Sequence, residues 1–388
     1  MAYIHERKNW PNFTWDEKGL ATKLSAVRHR QGRLIGRMEG LGFTLRNEAV
    51  LETLTLDVLK TSEIEGERLS HEQVRSSIAR RLGMEIAGAV ASDRDVDGVV
   101  EMMLDATQHF DKPLTTERLF GWHASLFPAG RSGSHKIIVG DWRDDTKGPM
   151  QVISGPIGKE TVHYEAPRAS RLKSEMATFV AWANKRDNTD PVLRAALAHF
   201  WFVTVHPFDD GNGRIARAIA DWALAHSEQS SQRFYSMSAQ IRTERKTYYD
   251  ILERTQRNSL DITEWMEWFL DCLDRAIAGT ESTLATVFRK ASFWEIHALK
   301  TINERQRLLL NQLLDGFEGK LTSSKWAKIA KCSQDTASRD IQALIEQKLL
   351  VKDNARGRST SYFLVESLAS RGSGSPLWSA SELKEKGI

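Results

Sequence analysis

Residues 206–217 read H-P-F-D-D-G-N-G-R-I-A-R, and this stretch decides how the chain around it folds. Upstream, apolar residues recur at helical spacing from Leu193 to Thr204, and downstream the same period restarts at Ile215. The glycines and the asparagine between them tolerate positive φ, so they can turn the chain sharply. We therefore predict two helices, the first ending near Val205, joined by a tight loop whose backbone N–H groups converge.

The loop carries residue types that bind a polyphosphate. It opens a helix, and the free N–H groups and dipole of a helix N-terminus favour anions. Arg214 and Arg217 are three residues apart and share a face of that helix, where guanidinium groups can hold phosphate oxygens bidentately. Asp210 is a carboxylate suited to hold Mg²⁺ against phosphates. Because neither Lys-Ser nor Lys-Thr follows the glycines, the loop is not a Walker A motif.

His206, at the start of the loop, is a candidate general base. A free histidine titrates near ~6.5, which suits removal of a proton from a hydroxyl at neutral pH. Taken singly, a histidine beside a proline usually caps a helix, and a Gly-Asn-Gly triplet is usually a turn. The combination of all these features within twelve residues favours chemistry on a nucleotide.

The stretch resembles the signature of the Fic family, H-x-F-x-[DE]-G-N-G-R-x-x-R. The resemblance implies transfer of AMP from ATP to a Ser, Thr or Tyr hydroxyl of a target protein. It implies that His206 deprotonates this hydroxyl and that Asp210 holds Mg²⁺ at the α- and β-phosphates. Arg214 would grip the β-phosphate side, and Arg217 the γ-phosphate. The anion nest would be formed by Gly211, Asn212 and Gly213.

A second stretch, T-S-E-I-E-G at residues 61–66, fits the family's inhibitory motif, [ST]-x-x-x-E-[GN]. Its motif positions here are Thr61, Glu65 and Gly66. The resemblance implies that Glu65 pairs with Arg217 and occupies the space that the γ-phosphate needs. A tethered carboxylate can compete with ATP for an arginine. The alternative is an ordinary acidic residue at a helix end before a glycine.

Residues 134–167 are rich in Gly, Pro and β-branched residues, unlike the helical chain around them. Residues 137–139 and 150–153 are predicted to pair as a hairpin. In the Fic family, a β-hairpin flap covers the active site and aligns the target by strand addition. The resemblance places this flap at about residues 142–167; the alternative is an ordinary surface hairpin.

Two further helices resemble parts of a Fic core. Tyr248 and Tyr249 lie in a segment similar to the helix that borders the adenine pocket, although a tyrosine pair on a helix is also typical of a protein core. His123 lies in a segment similar to a core helix, and we interpret it as structural. The chain from Tyr3 onward resembles a small helical domain of unknown function that often precedes Fic domains. Ser70 and Gln73 predict a capping box at the start of a helix.

The C-terminal part has the pattern of a winged helix-turn-helix. Helices are predicted at 323–331 and 334–348, and strands at 349–351 and 362–365, around a loop at 354–358. From residue 323 to residue 358, eight basic residues stand against four acidic ones, a local charge of +4 in a chain of net charge +3. Such modules bind DNA or serve in dimerisation and protein docking, and the sequence leaves these roles open.

The bulk composition sets the class of protein. The 388 residues suffice for two or three domains. Charged residues make up 27% of the chain and no apolar run reaches the ~18 residues of a membrane span, so we expect a protein without a membrane partner. The first residues lack an apolar secretory core. Cys272 and Cys332 fall in separate predicted domains, which argues for a reducing cytoplasm.

Together these patterns predict a mainly α-helical protein in three parts. They are an N-terminal region with the inhibitory helix at 1–95, a Fic core with a flap at 96–280, and a linker helix, winged helix and loose tail at 281–388. The predicted function is that of an autoinhibited protein adenylyltransferase that uses ATP and Mg²⁺. Its target is another protein or itself, and a homodimer is plausible in this family.

Two alternatives stay open. The chain could be a DNA-binding transcription regulator that uses the nucleotide site as a sensor. It could also be a hydrolase that removes AMP from modified proteins, for which both Glu65 and His206 would be needed.

Overall fold

The structure is a computed structural model that describes residues 2–86, 88–156, 158–185, 187–317, 319–353 and 360–365. It consists of two compact units, Met1–Thr283 and Leu284–Ile388. Among the described residues, no helix is long and apolar enough to cross a membrane. Helices form most of both units and the strands are short, which confirms the mainly α-helical class.

Helices dominate the first unit, which starts with a 3-10 helix at Ile4–Glu6. The α-helices that follow are α1 (Glu17–Glu39), α2 (Phe43–Ile64), α3 (His71–Arg81), α4 (Arg94–Gln108), α5 (Thr116–Leu126), α6 (Ala169–Asn184), α7 (Pro191–Val205), α8 (Asn212–Glu228), α9 (Met237–Thr243), α10 (Arg245–Gln256) and α11 (Thr263–Thr283). The strands between α5 and α6 are β1 (Arg131–Ser132), β2 (His135–Lys136), β3 (Gln151–Ser154) and β4 (Thr161–Glu165).

The core of this unit is built on α7 and α8, which pack closely against each other. Pro191 occupies the first turn of α7, and the Asp190 carboxylate caps it by accepting a hydrogen bond from Val192 N at 2.7 Å. Every side chain of α7 from Ala195 to Val205 is buried. A helix that is apolar on all sides belongs in the interior. Its end at Val205 confirms the boundary predicted from the sequence.

The C-terminus of α2 forms a turn that determines where its acidic residues lie. Gly66 has φ +88°, a left-handed conformation that glycine adopts without a steric penalty. The Gly66 N–H donates to the carbonyl of Glu63 at 3.2 Å, and the Glu67 N–H donates to the carbonyl of Ser62 at 3.0 Å. This pair of bonds is a Schellman motif. It places Glu65 and Glu67 on either side of the turn.

The start of α3 differs in part from the prediction. The Ser70 hydroxyl accepts a hydrogen bond from Gln73 N at 3.4 Å, so Ser70 caps the helix as expected. The side chain of Gln73 does not close a capping box, because its amide oxygen accepts from Asp93 N at 3.2 Å. The Gln73 side chain thus binds Asp93, the residue before α4, instead of the backbone N–H of Ser70.

The strands form two antiparallel hairpins, one of β1 with β2 and one of β3 with β4. The predicted pairing of residues 137–139 with 150–153 is wrong. Ile138 N donates to the Asp209 carboxylate at 2.9 Å and Ile137 N donates to the Gly130 carbonyl, so this backbone serves other partners. Residues 151–154 pair instead with 161–165, inside the range 142–167 predicted for the flap; Ile157 lies outside the described residues.

The described residues of the second unit form helices and a small sheet. They are α12 (Ala285–Ile296), α13 (Glu304–Leu314), α14 (Ser323–Ile329), α15 (Gln334–Glu346), β5 (Leu350–Lys352) and β6 (Tyr362–Leu364). Fully buried Trp326 lies in its core with Ile341 and Leu344. β5 pairs with β6 in antiparallel register. The loop predicted at 354–358 and the tail from residue 367 lie outside the described residues.

Candidate active site

His206 follows the last residue of α7 and has a left-handed backbone, with φ 51° and ψ 57°. Its Nδ1 lies 3.1 Å from the Val203 carbonyl oxygen, a geometry that assigns the proton to Nδ1. The lone pair of Nε2 then remains available to accept a proton. Burial lowers the pKa of His206 to about 4, so the imidazole is neutral at pH 7. His206 can therefore act as a base under physiological conditions.

The Asn212 side chain holds the loop closed through two hydrogen bonds with the backbone of Phe208. Its side-chain oxygen accepts from Phe208 N at 3.0 Å, and its amide nitrogen donates to Phe208 O at 2.8 Å. Asn212 and Phe208 are both buried. From the other side, Arg143 Nε donates to the His206 carbonyl at 2.8 Å. These bonds hold the loop in its shape, and they give the Asn212 side chain a structural role.

The two glycines of the loop are required by close approaches. Gly211 has φ +80°, and a Cβ there would lie 2.9 Å from the ring of Phe127. A Cβ at Gly213 would overlap the carboxylate of Glu65. Since α8 begins at Asn212, its first N–H groups face this same space. Without a side chain at Gly213, the backbone of the loop can approach an anion closely. In this structure that anion is the Glu65 carboxylate.

Asp210 lies beside the start of α8 and is held by two donors. Its Oδ1 accepts from Gly211 N at 2.6 Å, and its Oδ2 accepts from the hydroxyl of Ser132. Mg²⁺ prefers one or two carboxylate oxygens and completes its shell with water and phosphate oxygens. A single ordered carboxylate next to an anion nest fits that preference. The described residues contain no group of three or more His, Cys, Asp or Glu that could hold a metal by themselves.

Arg217 is buried, with 2% of its side chain exposed, and is held by the end of α2. Its Nε donates to the Thr61 hydroxyl at 2.7 Å, and its Nη2 donates to the Thr61 carbonyl at 2.9 Å and to Glu65 Oε1 at 2.7 Å. Burial alone would lower the pKa of Arg217, but the Glu65 carboxylate offsets this and the pKa is raised. Nη1 lies beside Gly213 and has no acceptor among the described residues.

Arg214 is equally buried, with 3% of its side chain exposed. Its Nη1 lies 2.6 Å from Glu67 Oε2, and its guanidinium carbon lies 5.1 Å from the centre of the Phe127 ring. Glu67 was not among the residues predicted from the sequence. The signal for it was an acidic residue directly after the glycine that turns the end of α2.

The tyrosine pair divides between the core and the site. Tyr248 is buried, and its hydroxyl lies 2.9 Å from His199 Nε2. Tyr249 is partly exposed and places its hydroxyl 3.4 Å from Glu65 Oε2. The contact with the adenine ring stays a prediction for both. His123 is fully buried, and its ring stacks on Phe208 with 4.1 Å between centroids.

Other contacts at the site were not predicted from the sequence. Arg245 Nε donates to the Ile64 carbonyl at 2.7 Å and so satisfies a free acceptor at the end of α2. Ser132 holds Asp210, Phe127 packs under Gly211, and Arg143 binds the loop. Each is more than 60 residues from its partner, and no spacing pattern reports a contact over that distance.

Comparison with known families agrees with this geometry. Residues 113–224 match the Fic/DOC family, so the chain contains a Fic/DOC family domain. Residues 3–84 match a domain of unknown function, DUF4172, which confirms the resemblance of the N-terminal segment.

Curated relatives share part of their length with this chain. Protein adenylyltransferase fic-1 of Caenorhabditis briggsae is 33% identical over 178 residues, which are 45% of this chain and 32% of the relative. The uridine 5′-monophosphate transferase of Xanthomonas campestris pv. campestris is 33% identical over 121 residues, 29% of this chain and 21% of the relative. The chain thus spans about a third or less of these relatives.

A solved structure resembles most of the chain. A Fic family protein from Desulfovibrio desulfuricans G20 has a TM-score of 0.57 at 20% identity, covering 92% of this chain and 98% of that one. At this identity the likeness speaks to the fold alone, and the fold is a mainly α-helical Fic core.

Proposed function

We propose that this chain is a protein adenylyltransferase, which moves AMP from ATP to a hydroxyl of a target protein and releases pyrophosphate. One observation carries the proposal. The loop between α7 and α8 brings together a free imidazole nitrogen of His206, the carboxylate of Asp210, and Arg214 and Arg217 at the start of one helix. The relatives named protein adenylyltransferase support AMP as the transferred group.

In the proposed reaction, the target hydroxyl attacks the α-phosphorus of ATP and gives its proton to Nε2 of His206. The bond from the α-phosphorus to the oxygen that bridges to the β-phosphate breaks, and pyrophosphate leaves. Arg214 binds the β-phosphate side and Arg217 the γ-phosphate, where they stabilise the negative charge of the leaving group. Most of the catalysis is positioning and charge stabilisation.

Asp210 is the residue that would hold Mg²⁺ at the α- and β-phosphates. When bound, the ion supplies positive charge beside the bond that breaks. Asp210 is already oriented by Gly211 N–H and the Ser132 hydroxyl. It therefore presents the carboxylate without a rearrangement of the loop.

We also propose that the chain inhibits itself through Glu65. Its carboxylate lies 2.7 Å from Nη2 of Arg217 and fills the space next to Gly213. Thr61 fixes the same arginine through its hydroxyl and carbonyl. A γ-phosphate that binds Arg217 must first displace the glutamate, so the ion pair lowers the population of the competent site.

For the rest of the chain we propose the three parts named above, at 1–95, 96–280 and 281–388. The helix and strand order of the second unit supports a winged helix-turn-helix. The winged helix-turn-helix would bind DNA, a protein partner or a second copy of the chain. The two free thiols, Cys272 and Cys332, fit a reducing cytoplasm.

The test measures incorporation of AMP from labelled ATP with Mg²⁺ in cell lysate. Glu65→Gly should raise incorporation, including self-modification, at least about tenfold over the wild type, because it frees Arg217 for the γ-phosphate. Adding His206→Ala should lower that rate by ~10²–10⁴-fold or more, because it removes the base. Unlabelled UTP is added as a competitor, since one relative is named a uridine 5′-monophosphate transferase.

Glu63→Gly is the matched control. It lies on the same helix turn, but its carboxylate pairs with Lys60 at 2.7 Å and faces Arg242 rather than the signature arginines. It should leave incorporation at the wild-type level. Glu65→Gly without incorporation would count against AMP transfer. Loss of an AMP-removing activity in both Glu65→Gly and His206→Ala would favour the hydrolase instead.

A further inference from the structure

The end of α2 engages both arginines of the loop, through two different carboxylates. Glu65 pairs with Arg217, and Glu67 pairs with Arg214 at 2.6 Å. The turn at Gly66 is what separates the two carboxylates. The motif recognised in the sequence ends at position 66, so it assigns no role to Glu67.

The surroundings of Glu67 disfavour its negative charge, except for Arg214. Burial raises the pKa of Glu67 above its usual range, Arg214 opposes the rise, and the nearby carboxylates of Asp210 and Glu65 add to it. Such crowding of carboxylates is unfavourable unless Arg214 compensates for it. The pair with Arg214 is therefore the contact that keeps Glu67 at the site.

Arg214 has few other ways to satisfy its charge. Its Nε is buried and has no hydrogen-bond partner among the described residues, and its guanidinium lies over the Phe127 ring. A buried guanidinium needs an anion. In the present conformation Glu67 is that anion, and in the proposed reaction the β-phosphate side of ATP would replace it.

We propose that Glu67 is a second inhibitory residue, an inference that rests on the function proposed above. Glu67 withholds Arg214 from the β-phosphate, as Glu65 withholds Arg217 from the γ-phosphate. The two contacts differ in how they release. Glu67 is 47% exposed against 29% for Glu65, so Glu67 can swing into solvent by a change of rotamer.

Because the two carboxylates compete with different phosphates, ADP separates their effects. ADP has a β-phosphate and lacks the γ-phosphate. Removal of the Glu67 charge should strengthen the binding of ADP and ATP by the same factor. Removal of Glu65 should strengthen the binding of ATP more than that of ADP.

The experiment titrates ADP and ATP, each with Mg²⁺, into the full chain by calorimetry. Every variant carries His206→Ala so that no transfer consumes ATP. Glu67→Gln, which removes the charge and keeps the shape, should lower the Kd of both nucleotides about three- to tenfold. Glu63→Gln should change neither Kd, since its carboxylate lies with Lys60. In an Arg214→Ala background, Glu67→Gln should no longer have an effect.

An ADP affinity of Glu67→Gln equal to that of Glu63→Gln would overturn the role of Glu67. If Glu65→Gly still gains ATP affinity in that case, the proposed function stands and only this inference falls. If the Glu65→Gly, Glu67→Gln double variant binds neither nucleotide, the proposed function falls and the inference falls with it. Thermal melts of each variant verify that all of them are folded.

Discussion

The loop from His206 to Asn212 and the segment from Thr61 to Glu67 meet at the same two arginines, but they are held in opposite ways. Asn212 bonds to Phe208, four residues away, and His206 bonds to a carbonyl three residues away. The segment bonds to residues 147 to 156 positions further along the chain. The loop thus closes mainly through bonds between near neighbours, with Arg143 and Ser132 added from more than 60 residues away, whereas these contacts of the segment all require the folded unit.

Helix α2 has a separate anchor that depends on tertiary packing. Asp57 lies seven residues before Ile64, the last residue of α2. Its carboxylate accepts hydrogen bonds from the hydroxyl of Ser236 and from Ser238 N at 3.2 Å. Both donors belong to the start of α9. We expect that a loosened contact here would loosen the end of α2, because Asp57 ties this helix to the start of α9.

The largest effect should come from removing the bonds that close the loop locally, those between Asn212 and Phe208. Asn212→Ala would leave the buried N–H and carbonyl of Phe208 without partners, so we expect the free energy of unfolding to fall by about 1–3 kcal/mol. Chemical denaturation followed by circular dichroism measures this. Asn258→Ala, at an exposed position, serves as the control and should change little. An Asn212→Ala protein of wild-type stability would mean that water or a relaxed backbone replaces both bonds.

The pH dependence of the Glu65→Gly variant tests the proposed base. Because burial lowers the pKa of His206 to about 4, the base stays neutral until the pH falls toward that value. The rate of Glu65→Gly should therefore be flat from pH 8 to about 5.5, where a histidine with an ordinary pKa would already have lost about tenfold. The pH profile of kcat/KM tests this. A limb centred near ~6.5 would show that the imidazole is solvated during the reaction.

The smallest effect should come from removing one long-range contact, the hydrogen bond between the Thr61 hydroxyl and Arg217. Thr61→Val removes the hydroxyl that accepts from Nε of Arg217 and keeps the shape of the side chain. Losing one such bond should raise AMP incorporation only about two- to tenfold, since Glu65 still holds the arginine. Thr61→Ser, which retains the hydroxyl, should behave as the wild type. Equal rates for Thr61→Val and Thr61→Ser would show that the Thr61 hydroxyl has no part in the proposed inhibition.

Much of the fold and the candidate site followed from patterns in the sequence. The helix end at Val205 and the cap at Ser70 each depend on a few adjacent residues. The hairpin was misassigned because residues 137–139 have the composition of a strand, yet their backbone donors are taken up by Asp209 and Gly130. Composition reports the preference of a segment and carries no information about which distant acceptor reaches it.

His206, Asp210 and the two arginines could be recognised from the sequence alone as a candidate nucleotide site, because one short stretch of the chain contains all four. Resemblance to a motif then suggested that Glu65 meets Arg217. Only the tertiary structure decided that Glu67 meets Arg214, that Gly213 lacks a side chain where a carboxylate lies, and that Tyr248 points into the core while Tyr249 faces Glu65. The physical reason is that these contacts arise when α2 and α10 pack near α8, and the free energy of that packing is spread over many buried residues rather than coded in one stretch.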